Sequence, residues 1–384
     1  MVSKRVSGIP FSGIRKFFEL VQKSKDVVSL GVGEPDFPTP EPLKYAGIRA
    51  IENDYTSYTS NYGILELRRE IANKLKKENR INADPQSEIL ITVGVSEALD
   101  IAIRSILDPN DEVLVPEPCY VSYKANVWFA YGFPVEVPST EENEFRPLAE
   151  DIEKRISKRT KAIIISTPCN PTGAILRRKN LEEIADIAIE HDLIVLSDEL
   201  YEELIYDDEK HYSIGSFNGM GNRTITLNGF SKAYAFTGWR LGYVTANSDI
   251  IENMMKIHQY TILCAPSIAQ YAALEAFKHR RYVRDMVEQY DHRRRLLVKG
   301  LNSIDGISCI MPKGAFYTFP NIKETGLKSE EFAEKLLKEG KVAVVPGNTF
   351  GDCGEGYVRC SYSVSREDIS EALGRIEKFM ENIG

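Results

Sequence analysis

With 384 residues, 43% hydrophobic and 27% charged, the chain has the make-up of an ordinary globular protein with length for roughly two to three cores. Its 48 Lys and Arg against 56 Asp and Glu give a formal charge of −8, which leaves no basic surplus for general nucleic-acid binding. No apolar run approaches the roughly 18 residues of a membrane span, and the opening MVSKRVSGIP has no signal-peptide core, so a soluble cytoplasmic protein is expected.

In chain order, strand candidates at Ile89–Val93, Glu112–Val115, Ala162–Ser166, Leu193–Leu196, Thr224–Leu227 and Leu241–Thr245 alternate with longer amphipathic stretches. Those stretches are Ser96–Ile106, Tyr120–Tyr131, Leu181–Glu190 and Asp249–Tyr260. The alternation predicts an α/β fold with a mostly parallel sheet covered on both faces. From about Val283 the pattern changes. A charged helix over Val283–Leu301 leads to short strands at Gly314–Phe319, Val342–Val345 and Tyr357–Ser361, then a helix over Arg366–Ile383. This describes a smaller α+β domain, against which the N-terminal residues can fold back. The expected division is 1–45 as an N-terminal arm and part of the small domain, 46–282 as the large domain and 283–384 as the small C-terminal domain.

Six scattered cysteines (119, 169, 264, 309, 353 and 360) form no CxxC pair and lie near no His at ligand spacing. Reduced thiols, with no disulfide framework and no metal site, are expected. The basic run Arg293-Arg294-Arg295 reads as a solvated helix face.

In an α/β sheet, chemistry gathers in loops after the carboxyl ends of strands. The first candidate loop, Gly94-Val95-Ser96-Glu97-Ala98, is a small-residue turn opening a helix; its free N–H groups suit a phosphate, although alone it reads as a Ser N-cap. Gly31-Val32-Gly33-Glu34-Pro35-Asp36 is rejected as a dinucleotide fingerprint, because it lacks the third glycine and prolines 35, 38, 40 and 42 preclude the helix. Thr167-Pro168-Cys169-Asn170-Pro171-Thr172-Gly173 holds Asn170 between two prolines, which fixes the backbone and aims one amide. Ser197-Asp198-Glu199-Leu200-Tyr201 puts a carboxylate directly after an apolar strand, which suits an Asp N-cap and a functional acid equally. The segment NGFSKAYAFTGWR, residues 228–240, sets Lys232 among small and aromatic residues. Most lysines are solvated surface groups. A desolvated one near a second cation such as Arg240 has the lowered pKa that a Schiff-base nucleophile requires. One Lys, one Asp, an aimed Asn, a Tyr, an Arg and a phosphate-ready helix end are the parts needed to hold pyridoxal phosphate.

Asn170-Pro171-Thr172-Gly173, Asp198 with Tyr201, and Ser231-Lys232 with Gly238-Trp239-Arg240-Leu241-Gly242-Tyr243 resemble the class I/II aminotransferases, fold-type-I enzymes that use pyridoxal phosphate. The resemblance runs from Gly31–Phe37 to Val358–Ser361 and is nearest to the archaeal aromatic and prokaryotic aspartate aminotransferases. It implies that Lys232 carries the cofactor as a Schiff base and moves the proton between Cα and C4′. Asp198 would keep the pyridine nitrogen protonated, while Asn170 and Tyr201 bond the ring 3-oxygen. Tyr120 matches an aromatic that stacks on the ring. The Val95 and Ser96 N–H groups, Arg240 and Ser231 match the phosphate site. Tyr58 matches a phosphate-binding Tyr from the neighbouring subunit, which implies a homodimer with shared active sites. Arg359 matches the clamp for the substrate α-carboxylate, assisted by Asn170 and the Gly33 backbone; its place in the apolar run Tyr357-Val358-Arg359-Cys360 counts against a surface salt bridge.

Aspartate-preferring members of this branch often carry Lys where this chain has Ser96, and hydroxyl residues where it has Gly8-Ile9-Pro10-Phe11. Phe11, Ile14 and Tyr62 are candidates for an apolar pocket instead. The expected activity is therefore amino transfer from an aromatic or broad range of amino acids to a 2-oxo acid, 2-oxoglutarate foremost, in a ping-pong cycle. Aspartate aminotransferase and a C–S β-lyase are the alternatives. A ligand-sensing regulator would need an added DNA-binding domain, for which the ~30 residues before Gly31 leave no room.

Overall fold

The computed structural model describes residues 2–11, 13–14 and 26–383. Twelve strands appear among them: β1 (Val28–Ser29), β2 (Ile89–Thr92), β3 (Glu112–Glu117), β4 (Phe133–Pro138), β5 (Thr160–Ser166), β6 (Ile194–Asp198), β7 (Thr224–Gly229), β8 (Gly242–Thr245), β9 (Tyr317–Thr318), β10 (Val342–Ala343), β11 (Val345–Pro346) and β12 (Val358–Ser361). Seven form one sheet in the order β2-β8-β7-β6-β5-β3-β4. All its pairings are parallel except the two made by β8.

β2 and β7 are both antiparallel to β8, so β2 runs in the same direction as the other five strands. The carboxyl ends of β2, β3, β5, β6 and β7 therefore emerge along one edge, which β8 enters from the Arg240 side. Local pattern gave no direction for β8. It is reversed because the chain stays on the edge where β7 ended, and a parallel strand would need a crossover back to the far edge. β4 went unrecognised as a strand: its prolines and half-exposed face suit an edge position, which it occupies.

Helices cover both faces of the sheet. The Gly94–Ile106 helix begins two residues before the expected start and buries Val95, Leu99, Ile101 and Ile103 against it. Each such burial stabilises by roughly 1.5–3 kcal/mol. The helix expected over Tyr120–Tyr131 shortens to Ser122–Phe129, leaving Tyr120 in the loop after β3. Helices Arg178–Glu190 and Ser248–Thr261 lie near their expected bounds.

β12 stands between β11 and β9 in a second, antiparallel sheet, with Val345 opposite Arg359 and Cys360 opposite Thr318. The run expected as one strand at Val342–Val345 divides at Val344, because β10 pairs with β1 while β11 pairs with β12. Leu30 belongs to the same buried core as Phe316, Tyr362, Ile376 and Phe379, so the N-terminal segment shares a core with the last helix, Arg366–Ile383.

In the Arg293–Arg295 run, Arg295 is exposed as a solvated face requires, but Arg293 and Arg294 are buried. Arg294 is fully buried and reaches Asp207 (2.8 and 2.9 Å) and the Pro312 carbonyl (2.6 Å), while Arg293 bonds Asp36 at 2.8 Å. Buried guanidinium needs such pairing; Asp291 lies one turn back on the same helix, but Asp36 and Asp207 are far away in sequence, out of reach of a local reading. All six cysteines are free thiols. Among the described residues no helix is long and apolar enough to cross a membrane.

Candidate active site

A cavity of about 730 Å³ opens at the carboxyl edge of the large sheet. Every residue assigned above to the cofactor, the catalysis or the substrate carboxylate lines it except Tyr58, which is 82% exposed and outside it. Ile14 lines the cavity. Phe11, 94% exposed, and Tyr62, which packs beside the Gly94–Ile106 helix, do not. The expected apolar pocket therefore retains only Ile14 of its three residues.

Lys232 follows β7 and points across the cavity, where its Nζ donates to the Gly33 carbonyl at 2.7 Å. Burial lowers its pKa to about 8, helped by the positive charges of Arg359 and Arg240 and opposed by Glu34 and Asp198. A lysine so placed is partly neutral near physiological pH and can act as nucleophile and base.

Asp198 ends β6, where the apolar strand delivers its carboxylate into the cavity. Oδ2 accepts from the Tyr123 hydroxyl at 2.7 Å and Oδ1 from the Leu200 N–H at 3.1 Å. Burial raises its pKa against these hydrogen bonds, so a cationic partner at this point would be strongly favoured. Tyr123 had no assigned role in the sequence, where it reads as one more aromatic of an amphipathic helix. Tyr120 packs edge-on against it, ring centroids 5.7 Å apart.

Arg359 lies on β12, 2% exposed. Nη1 donates to Asn170 Oδ1 at 2.9 Å and Nη2 to the Gly31 carbonyl at 2.8 Å, while buried Nε has no partner. Among the described residues no carboxylate pairs with it. A buried, uncompensated guanidinium with an unused donor suits an anionic ligand. The Tyr317 ring lies 4.5 Å from the guanidinium, and its hydroxyl bonds the Tyr201 hydroxyl at 2.9 Å. Tyr317, too, is missed from sequence, since an aromatic on a short apolar strand looks like core.

The fourth group is the β2–helix turn. Gly94 has φ +70°, and a Cβ there would stand 2.6 Å from Arg240 Nη2, so only glycine lets that guanidinium approach the helix start. Arg240 is held by one bond to the Thr237 carbonyl (2.9 Å) and has no ion-pair partner among the described residues. With the Val95 and Ser96 N–H groups beside it, this is an anion cup at a helix N-terminus. Ser231, 6% exposed, directly precedes Lys232 and lines the same cavity.

A lysine with a lowered pKa, a buried carboxylate and two unpaired arginines around one crevice define an α/β transferase built on an amine. The family model for aminotransferase class I and II matches residues 25–376, and the chain belongs to this family and is an aminotransferase. It is 52% identical to an aspartate aminotransferase of Pyrococcus abyssi (99% of this chain, 98% of the relative) and 49% identical to aromatic-amino-acid aminotransferase 2 of Thermococcus litoralis (likewise 99% and 98%). Among solved structures, the aromatic aminotransferase of Pyrococcus horikoshii superposes with a TM-score of 0.92 at 50% identity, covering 96% of this chain and 99% of that one. The Thermus thermophilus aspartate aminotransferase with maleate gives 0.93 at 39% identity, covering 99% of both.

Proposed function

We propose that the chain uses pyridoxal 5′-phosphate to move amino groups from aromatic or a broad range of amino acids to 2-oxoglutarate. The observation that carries this reading is Lys232, held at the Gly33 carbonyl with a pKa near 8 between Asp198 and two unpaired arginines. The residues suit the cofactor: the Gly94 turn with Arg240 and Ser231 would hold its phosphate, Asp198 would pair with its ring nitrogen, and Asn170 and Tyr201 would bond its ring oxygen. Tyr120, which lines the same cavity, would pack on its ring. When bound, the cofactor supplies an electron sink for the charge that develops at the substrate α-carbon.

Each side chain then has one task. Arg359 takes the substrate carboxylate with Asn170 and the Gly33 backbone beside it, fixing which face of the α-carbon meets Lys232. The Lys232 amine takes the α-proton and returns it. Asp198, its charge held by the Tyr123 hydroxyl and the Leu200 N–H, would keep a proton on the cofactor's ring nitrogen.

The donor range is read from charge. The described cavity-lining cations are Lys232, Arg240 and Arg359, and each has a task already, so a distal carboxylate, whether of aspartate or of 2-oxoglutarate, meets no further cation in the described lining and gains no preference over an aromatic ring. Relatives named for aspartate and for aromatic amino acids stand at similar identity, so the donor class rests on this charge argument. The reading includes a cytoplasmic homodimer in which Tyr58, exposed on its own chain, reaches the partner's phosphate site. It also keeps the division into residues 1–45, 46–282 and 283–384.

The test adds phenylalanine, tyrosine, aspartate, glutamate and alanine singly to the cofactor-loaded protein and follows conversion to the pyridoxamine spectrum. Faster conversion by phenylalanine and tyrosine than by aspartate supports the donor class. Aspartate fastest reassigns it, and cystathionine yielding pyruvate and ammonia without an acceptor points to the lyase instead.

A further inference from the structure

Glu117 ends β3 and is 1% exposed, yet it belongs to neither the lysine nor the arginine cluster. Its carboxylate lies against the loop that joins β11 to β12. Oε2 accepts from the Asp352 N–H at 3.1 Å. At Gly351, φ is +121° and an added Cβ would stand 2.3–2.5 Å from the carboxylate atoms, so the absence of a side chain there is what lets Glu117 in. The other side of the carboxylate pairs with Lys124, on the Ser122–Phe129 helix. Two residues on, the Cys119 N–H donates to the Phe350 carbonyl at 2.9 Å, a second tie between the same segments.

What these ties join matters for the site. On one side lie Tyr120 and Tyr123, the second of them bonded to Asp198. On the other is the loop whose return strand carries Arg359, with the Phe350 ring 5.0 Å from its guanidinium. The loop is itself closed by the Gly347 N–H on the Tyr357 carbonyl (2.8 Å), so a displacement at Gly351 carries to β12.

We infer that Glu117 is a positioning residue that grips the β11–β12 loop at Gly351 and thereby sets where Arg359 stands relative to the large sheet. This rests on the reading of Arg359 as the carboxylate clamp. A burial cost for the carboxyl, whose pKa is raised by desolvation, accompanies the grip. The Glu-Pro pair before the Tyr120 loop and the glycine of Phe350-Gly351 are thus halves of one contact.

The test titrates 3-phenylpropionate, a carboxylate without an amino group, into cofactor-loaded enzyme by calorimetry, alongside steady-state kinetics. Glu117→Ala is expected to raise its Kd and the donor KM about tenfold with kcat within about twofold, because a displaced clamp weakens binding more than chemistry. Gly351→Ala should do the same. Glu117→Gln, whose amide oxygen still accepts from Asp352, should stay within about threefold of wild type. Arg359→Gln, the control, should weaken the probe about 100-fold. Wild-type probe affinity in Glu117→Ala, with Arg359→Gln weakened, overturns the inference, as does a fall in kcat at unchanged affinity. Wild-type affinity in Arg359→Gln overturns the clamp reading instead. Should Glu117→Ala not fold, Glu117→Asp carries the test: its shorter reach predicts about threefold weaker binding, and no change contradicts the inference.

Discussion

Arg240 and Arg359 present guanidinium groups to one cavity but are built into it in opposite ways. Arg240 sits on the Lys232 loop, exposed, held by a single carbonyl and facing backbone N–H groups at a helix start. Arg359 is buried on a strand, bonded to Asn170 and Gly31 and flanked by Tyr317 and Phe350, with Nε unused. A cup made of backbone dipoles and one cation suits a phosphate that stays. A desolvated, rigidly aimed fork suits a carboxylate that must dock in one orientation at every turnover.

If that contrast holds, the two arginines separate cleanly under mutation. Arg359→Gln leaves Asn170 and Gly31 unpaired and removes the clamp; kcat/KM should fall about 10²- to 10³-fold with pyridoxal phosphate affinity unchanged in a spectral titration. Arg240→Gln should reverse the pattern, weakening cofactor binding about 10- to 100-fold while the donor KM at saturating cofactor moves little. Equal effects of both variants on both ligands would break the contrast. Tyr123→Phe, which removes one of two hydrogen bonds to Asp198, should lower kcat about tenfold, measured at saturating cofactor and donor.

The smallest effect is one of pH. Burial holds the Lys232 amine to about 8, and only its neutral form attacks the cofactor aldehyde, so capture of pyridoxal phosphate by cofactor-free protein should quicken as pH rises through about 8. Both arginines lower that pKa. Removing either positive charge should therefore move the midpoint of the stopped-flow pH profile upward, by less than the contribution of burial.

The cup was largely legible in the sequence because its parts are contiguous: a small-residue turn after an apolar strand, and NGFSKAYAFTGWR running from β7 to β8. The clamp was not. Gly31, Asn170 and Arg359 meet only because the N-terminal segment, the β5 loop and β12 converge, and the family resemblance alone assigned Arg359 its task. Tyr123 and Tyr317 escaped for a related reason, since a buried aromatic declares its hydroxyl's partner only in three dimensions. Sheet content was read well where strands are apolar and central, as at β5 and β6. It failed at the proline-bearing edge strand β4 and gave no direction for β8, where position in the sheet decides. The Arg293–Arg295 run misled because its buried arginines are neutralised by Asp36, Asp207 and Asp291.

The central claim is that Lys232 is the residue through which the cofactor is held. Borohydride reduction of the protein mixed with pyridoxal phosphate, followed by peptide mass mapping, tests it directly. A single pyridoxyl-modified peptide containing Lys232, absent from Lys232→Ala, is expected. Modification of a different lysine, or an unchanged map in the variant, would contradict it.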